Sequence, residues 1–215
     1  MTHRTRIKIC GVTRPEDARY AAACGADAVG VVFVPASPRN IDIEAAMAVR
    51  AAVPPFVQLV ALFMDADAAQ VRAVCERVGP DLLQFHGAED AAFCCGFGRP
   101  YIKSVATAAG ADLTAAERAY PDAIGLLVDG HDVGEMGGSG RGVRPEQLQG
   151  ATRLPLVLAG GLRPDNVAMS VAAFRPWAVD VSSGVESAPG IKAAEQVAAF
   201  ISEVQKADEQ RSSQL

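Results

Sequence analysis

Apolar positions change period repeatedly along this chain. Short β-branched runs alternate with Ala-rich segments whose apolar residues recur at helical spacing. The first run, Arg6 to Cys10, precedes a helix over Pro15 to Cys24, with Pro15 in its first turn and Thr13 as a candidate cap. Ala28 to Phe33 precedes a helix from Asp42 to Ala52, and Phe56 to Phe63 precedes one from Asp67 to Val78. Asp81 to Phe85 is a fourth strand, followed by a helix from Ala88 to Gly96. Tyr101 to Ala106 and Ile124 to Asp129 are the fifth and sixth strands. A helix over Asp112 to Tyr120 separates them, and a Gly-rich segment with a short helix near Arg144 to Leu148 follows. Leu154 to Ala159 and Trp177 to Ser182 are the last two strands, with helices over Arg163 to Phe174 and Ile191 to Lys206.

Several of these strands are apolar at consecutive positions, the pattern of a parallel sheet buried on both faces. Eight such units predict an α/β fold: a single (β/α)8 TIM barrel, eight parallel strands with the helices outside. The rival, an open doubly wound sheet, usually has fewer strands. It would be supported by GxGxxG after strand one, where this chain reads Cys10-Gly11-Val12-Thr13. No composition break interrupts the pattern, so one barrel domain is expected over residues 1–207. The polar tail, 208–215, is expected to fray.

Composition then removes several classes of function. A chain of 215 residues can bury about 70% of its unfolded surface, so it needs no metal or disulfide staple. Its formal charge of −5 argues against a nucleic-acid partner, though not against one local anion pocket. No apolar run reaches the roughly 18 residues of a membrane span, and the first residues lack the features of a secretory signal. The cysteines are Cys10, Cys24, Cys75, Cys94 and Cys95. Their odd number and spacing fit neither a zinc site nor a disulfide framework, so a reduced, cytoplasmic setting is expected.

Active sites of such barrels are built at the C-terminal ends of the strands. That rule selects Cys10, Arg39, His86, Asp129, Gly160-Gly161 and Ser182-Ser183-Gly184. Small residues after strands seven and eight let backbone N–H groups approach a phosphate; otherwise they only make tight turns. Cys10, beside Lys8, is either an inert buried thiol or a base whose pKa a positive neighbour lowers. Asp129 either turns the chain or, desolvated at an apolar mouth, acts as a general acid. Arg39 is a solvated surface residue or a fork for a substrate carboxylate. His86 alone reads more readily as structural than catalytic. His131-Asp132 has no third ligand nearby, so no metal is expected.

Read together and in order, these segments resemble the phosphoribosylanthranilate isomerase family. The likeness rests on Lys8-Ile9-Cys10-Gly11, Gly25-Ala26-Asp27-Ala28-Val29-Gly30, Ser37-Pro38-Arg39, Gln84-Phe85-His86-Gly87 and Leu127-Val128-Asp129. It continues through Gly137-Gly138-Ser139-Gly140, Ala159-Gly160-Gly161-Leu162 and Val179-Asp180-Val181-Ser182-Ser183-Gly184-Val185-Glu186. It spans residues 6–205. The resemblance implies a cofactor-independent Amadori rearrangement of a phosphosugar substrate, a step of tryptophan biosynthesis. It implies Cys10 as general base and Asp129 as general acid, with Arg39 on the anthranilate carboxylate. Gly160, Gly161, Ser182, Ser183 and Gly184 would take the phosphate, and His86 and Asp180 would line the site. Gly142-Val143-Arg144, Ala193 and Phe85 depart from the family's usual residues. The alternatives are another phosphosugar aldose–ketose isomerase and a non-catalytic phosphoanion-binding barrel. Acidic, Ala-rich helices favour a monomer over a dimer.

Overall fold

Eight parallel strands close into a barrel in the computed structural model, which describes residues 4–107, 110–130 and 143–213. They are β1 (Arg6–Ile9), β2 (Ala28–Val32), β3 (Gln58–Phe63), β4 (Leu82–Phe85), β5 (Tyr101–Ala106), β6 (Gly125–Asp129), β7 (Leu156–Leu158) and β8 (Ala178–Val181). Pairing of β1 with both β2 and β8 completes the ring. Around it run α1 (Pro15–Cys24), α2 (Ile43–Ala52), α3 (Ala68–Arg77), α4 (Ala91–Cys94), α5 (Leu113–Ala119), α6 (Val167–Phe174) and α7 (Ala194–Ser212). Between β6 and β7 the described residues hold a 3-10 turn, Pro145–Gln147, and a two-residue strand, Leu148–Gln149, that pairs parallel with Ala111–Asp112.

The two-residue period of the strands sorts their apolar side chains into two cores. Ala28, Val60, Leu82, Ile102, Leu127, Val157 and Ala178 point inward and form the barrel floor. Their outward neighbours, among them Ile7, Val29, Leu59, Leu83, Leu126 and Val179, pack against the helices. Each fully buried aliphatic side chain stabilises by about 1.5–3 kcal/mol, so both faces must be apolar, which explains the unbroken runs. Phe85 sits among aromatic rings, with Phe63 at 6.1 Å, Phe93 at 5.9 Å and Tyr101 at 5.9 Å. The local packing there suits a ring at this position.

Four helices start on aspartate. The side chains of Asp42, Asp67, Asp90 and Asp112 accept hydrogen bonds from the first-turn amides of α2, α3, α4 and α5. Thr13, the expected cap of α1, does something else: its hydroxyl donates to the Gly190 carbonyl at 2.6 Å, tying the loop after β1 to the one after β8. The helix α4 is shorter than predicted because Glu89 is drawn out of it, accepting from the amides of Asp65 and Gly87. Likewise α7 starts later, since Ile191–Lys192 pairs antiparallel with Glu186–Ala188. It also ends later. Residues expected to fray are helical through Ser212, and Asp208 accepts from the Thr5 amide at 2.6 Å and its hydroxyl at 2.9 Å. That tether fastens the last helix beside the start of β1.

Candidate active site

The C-terminal mouth of the barrel holds a pocket. Cys10, Arg39, His86, Asp129 and Asp180 line it, together with the Gly160–Gly161 and Ser182–Gly184 loops, so every candidate of the sequence within the described residues meets there. The His131-Asp132 pair and the Gly137–Gly140 stretch lie outside the described residues. Strand parity explains the convergence. Cys10, His86, Asp129 and Ser182 each follow an inward-pointing residue by two positions, so each continues the interior face upward. Cys10 extends the ladder beyond β1, its amide donating to Val181 at 2.8 Å.

A buried polar chain links the two sides of the pocket. Lys8, in register with Asp180, donates to its Oδ2 at 2.8 Å and to Gln84 Oε1 at 2.9 Å. Lysine can only donate, so Gln84 must turn its oxygen to Lys8 and its amide nitrogen to His86 Nδ1, 3.3 Å away. An Nδ1 that accepts leaves the proton of neutral His86 on Nε2, and that nitrogen stands 3.9 Å from Asp129 Oδ2. The Asp129 backbone is held as well: the Thr107 amide and hydroxyl both donate to its carbonyl, at 3.1 and 2.9 Å.

Arg39 enters the pocket already engaged. Its Nε and Nη2 each donate to Glu186 at 2.8 Å, a side-on fork. Lys192 donates to the same carboxylate at 2.7 Å and to the Ser182 carbonyl at 3.2 Å. A planar guanidinium held side-on still presents its Nη1–Nη2 edge, a second parallel donor pair. Gly11, in left-handed conformation (φ 70°), makes room for this arm, because a Cβ there would lie 2.4 Å from Arg39 Cδ. The two glycine loops touch closely too: a Cβ on Gly184 would fall 1.9 Å from the Leu162 carbonyl oxygen. The Asn166 side chain donates to Gly161 and accepts from the Arg163 amide, bracing the loop after β7.

Electrostatics departs from the expectation for Cys10. Burial pushes its thiol up, Asp180 adds to the rise, and Lys8 opposes it without prevailing. Burial also raises the Asp180 carboxyl against the pull of Lys8. Lys192 is pushed down by its burial, against the raising effect of Glu186. For Glu186 burial works upward, but Arg39 and Lys192 together hold its carboxyl below the usual range.

Sequence reasoning named Lys8 as the positive neighbour of Cys10 but not its partner Gln84, and it selected neither Glu186 nor Lys192. Lys8 and Gln84 carried a usable signal, since a charged or amide side chain inside an apolar strand at inward parity must find buried partners. Glu186 and Lys192 carried none, because their meeting with Arg39 depends on a hairpin and on contacts distant in sequence.

Such a mouth, with a thiol, two carboxyls, an arginine and glycine-lined loops at the C-terminal end of the strands, is where (β/α)8-barrel enzymes build their active sites. The N-(5'phosphoribosyl)anthranilate (PRA) isomerase family matches residues 7–203, and the chain belongs to that family. The N-(5'-phosphoribosyl)anthranilate isomerase of Halorhodospira halophila is 52% identical over 206 residues, covering 96% of this chain and 99% of its own. The crystal structure of phosphoribosyl anthranilate isomerase from Thermus thermophilus superposes with a TM-score of 0.82 at 38% identity, covering 94% and 99% of the two chains. A phosphoribosyl anthranilate isomerase in complex with reduced 1-(o-carboxyphenylamino)-1-deoxyribulose 5-phosphate gives a TM-score of 0.76 at 35% identity, with 94% and 99% covered.

Proposed function

We infer that this protein isomerises N-(5'-phosphoribosyl)anthranilate to 1-(o-carboxyphenylamino)-1-deoxyribulose 5-phosphate, with Asp129 as general acid and Cys10 as general base. The carrying observation is that a carboxyl and a thiol on separate strands face one pocket between an arginine fork and two glycine-lined loops. Asp129 protonates the furanose ring oxygen, and the C1′–O bond breaks as the anilino nitrogen forms a Schiff base. Cys10 takes the C2′ proton, giving an enolamine. Proton return to C1′ and loss of the C2′ hydroxyl proton yield the ketone. As C2′ is oxidised C1′ is reduced, so the electron count closes within the substrate and no cofactor is required.

The remaining groups place the substrate. The end edge of Arg39 suits the anthranilate carboxylate, and Gly160, Gly161, Ser182, Ser183 and Gly184 suit the phosphate. Binding at both remote ends holds the sugar between acid and base, where positioning supplies much of the rate. His86 Nε2–H faces the acid, and Asp180 fixes Lys8 below the base. The relative crystallised with a reduced product analogue supports this choice over other phosphosugars. All five cysteines are unpaired, which suits a cytoplasmic setting. We read the assembly as a monomer. Light scattering that returned twice the chain mass would overturn that, and exposed Phe56, Ile124 and Trp177 at the barrel floor would then be the first place to seek contacts.

The test is loss of anthranilate-type fluorescence when the purified protein meets freshly generated substrate, with the product mass checked. Rapid loss with the expected product supports the reading. A folded protein that does not exceed the spontaneous background would contradict it.

A further inference from the structure

We propose that Lys8 is the positioning residue that makes Cys10 usable as a base: its ammonium, locked by Asp180 and Gln84, stands beside the sulfur and stabilises the thiolate. The proposal rests on Cys10 being the base, as argued above. Lys8 and Cys10 lie two positions apart on one strand, so both point into the barrel. Both press on the bare backbone of Gly30 in the neighbouring strand. A Cβ there would be 2.9 Å from Cys10 Sγ, 3.0 Å from Lys8 Cε and 3.2 Å from Lys8 Nζ. Only glycine at this position leaves the space that amine and sulfur share.

A lysine inside a barrel is costly unless its charge is matched. Asp180 alone would match it. The second bond, to Gln84, fixes the direction of the amine. The groups facing Cys10 are Lys8 on its own strand, Asp180 on β8, Lys192 on the hairpin after β8 and Arg39 on the loop after β2. Arg39 and Lys192 are both engaged by Glu186. Lys8 is the cation anchored below the thiol, away from the arms that meet substrate. Its charge is opposite to that of Asp180, so their effects on the thiol are opposite in sign.

That opposition supplies the experiment. The Cys10 thiolate is titrated by its ultraviolet absorbance, as the difference from the matching Cys10→Ala protein, and compared with the pH profile of kcat/KM. Lys8→Met should raise the thiolate midpoint by about 1–3 pH units, the usual effect of losing an opposite charge at this range. The acid limb of kcat/KM should move alkaline with it. Asp180→Asn should move the midpoint the other way, and Lys8→Gln, which keeps a donor for Asp180 and Gln84 but no charge, carries the test if Lys8→Met does not fold. A lysine with a merely structural role leaves the midpoint unmoved in every folded Lys8 variant, and that result overturns the inference. Midpoints that shift while kcat/KM does not follow would instead overturn the base assignment beneath it, as would full turnover by Cys10→Ala.

Discussion

The two ends of the barrel interior are made by the same strands and hold opposite chemistry. At the floor the inward positions are Ala28, Val60, Leu82, Ile102, Leu127, Val157 and Ala178, all apolar. One or two steps higher they become Lys8, Gln84 and Asp180, then Cys10, His86 and Asp129 at the mouth. Parity is the same throughout, so the difference is one of partners rather than of backbone. The floor is stabilised by contact area and tolerates exchange of one apolar residue for a smaller one at a graded cost. The upper layers are held by donors and acceptors that leave few choices: Lys8 dictates how Gln84 turns, and Gln84 dictates where His86 carries its proton. Buried charges of this kind contribute little net stability as pairs, but removing one partner strands the other. The lower half therefore stabilises the barrel, and the upper half spends stability on directed charge.

Substitutions at each end should separate the two roles. The largest effect belongs to the mouth. Asp129→Asn should lower kcat by about 100- to 10,000-fold, the span of a lost general acid, with little change in the thermal midpoint. A near-normal rate would remove Asp129 from that role. At the floor the pattern should invert. Ile102→Ala should cost about 2–5 kcal/mol in urea unfolding, while KM stays close to that of the parent. Equal loss of stability and of substrate affinity would mean that the two layers are not separable.

Smaller effects sharpen the same comparison. Asp208→Ala removes the carboxylate that accepts two hydrogen bonds from Thr5 and should cost about 1.5–3 kcal/mol, with kcat unchanged. A stability equal to the parent would return residues 208–212 to the status of an unneeded tail. Glu186→Gln should raise KM severalfold with a small change in kcat, because Arg39 loses its bidentate brace. It should also alter the acid limb of stability. The Glu186 carboxyl is held below its ordinary range, so its contribution is present above the unfolded value of about 4.3 and is lost as pH falls through the folded one. Urea midpoints of the variant should thus fall less steeply on acidification than those of the parent.

The barrel was readable because strands buried on both faces leave unbroken apolar runs, and eight strand segments alternate with helical ones, four of which start on aspartate. Every candidate within the described residues reached the pocket because strand ends in such a fold converge. What stayed illegible depended on pairing across the chain. Cys10 read equally as an inert buried thiol and as one lowered by Lys8, because a strand pattern does not weigh burial and Asp180 against one neighbouring lysine. The side-on bond of Arg39 to Glu186 needs a hairpin after β8 that local periodicity merged into the last helix. Thr13 had the composition of a cap, and a closer acceptor across the mouth, the Gly190 carbonyl, claimed its hydroxyl.

The central claim is that Cys10 removes the C2′ proton. The most direct measurement follows substrate deuterated at C2′ through a single turnover. The parent should form product with the label passed to Cys10 and then washed into solvent, slowed by a primary isotope effect. Folded Cys10→Ala should retain the label in unreacted substrate. Loss of the C2′ label by Cys10→Ala at the rate of the parent would contradict the account.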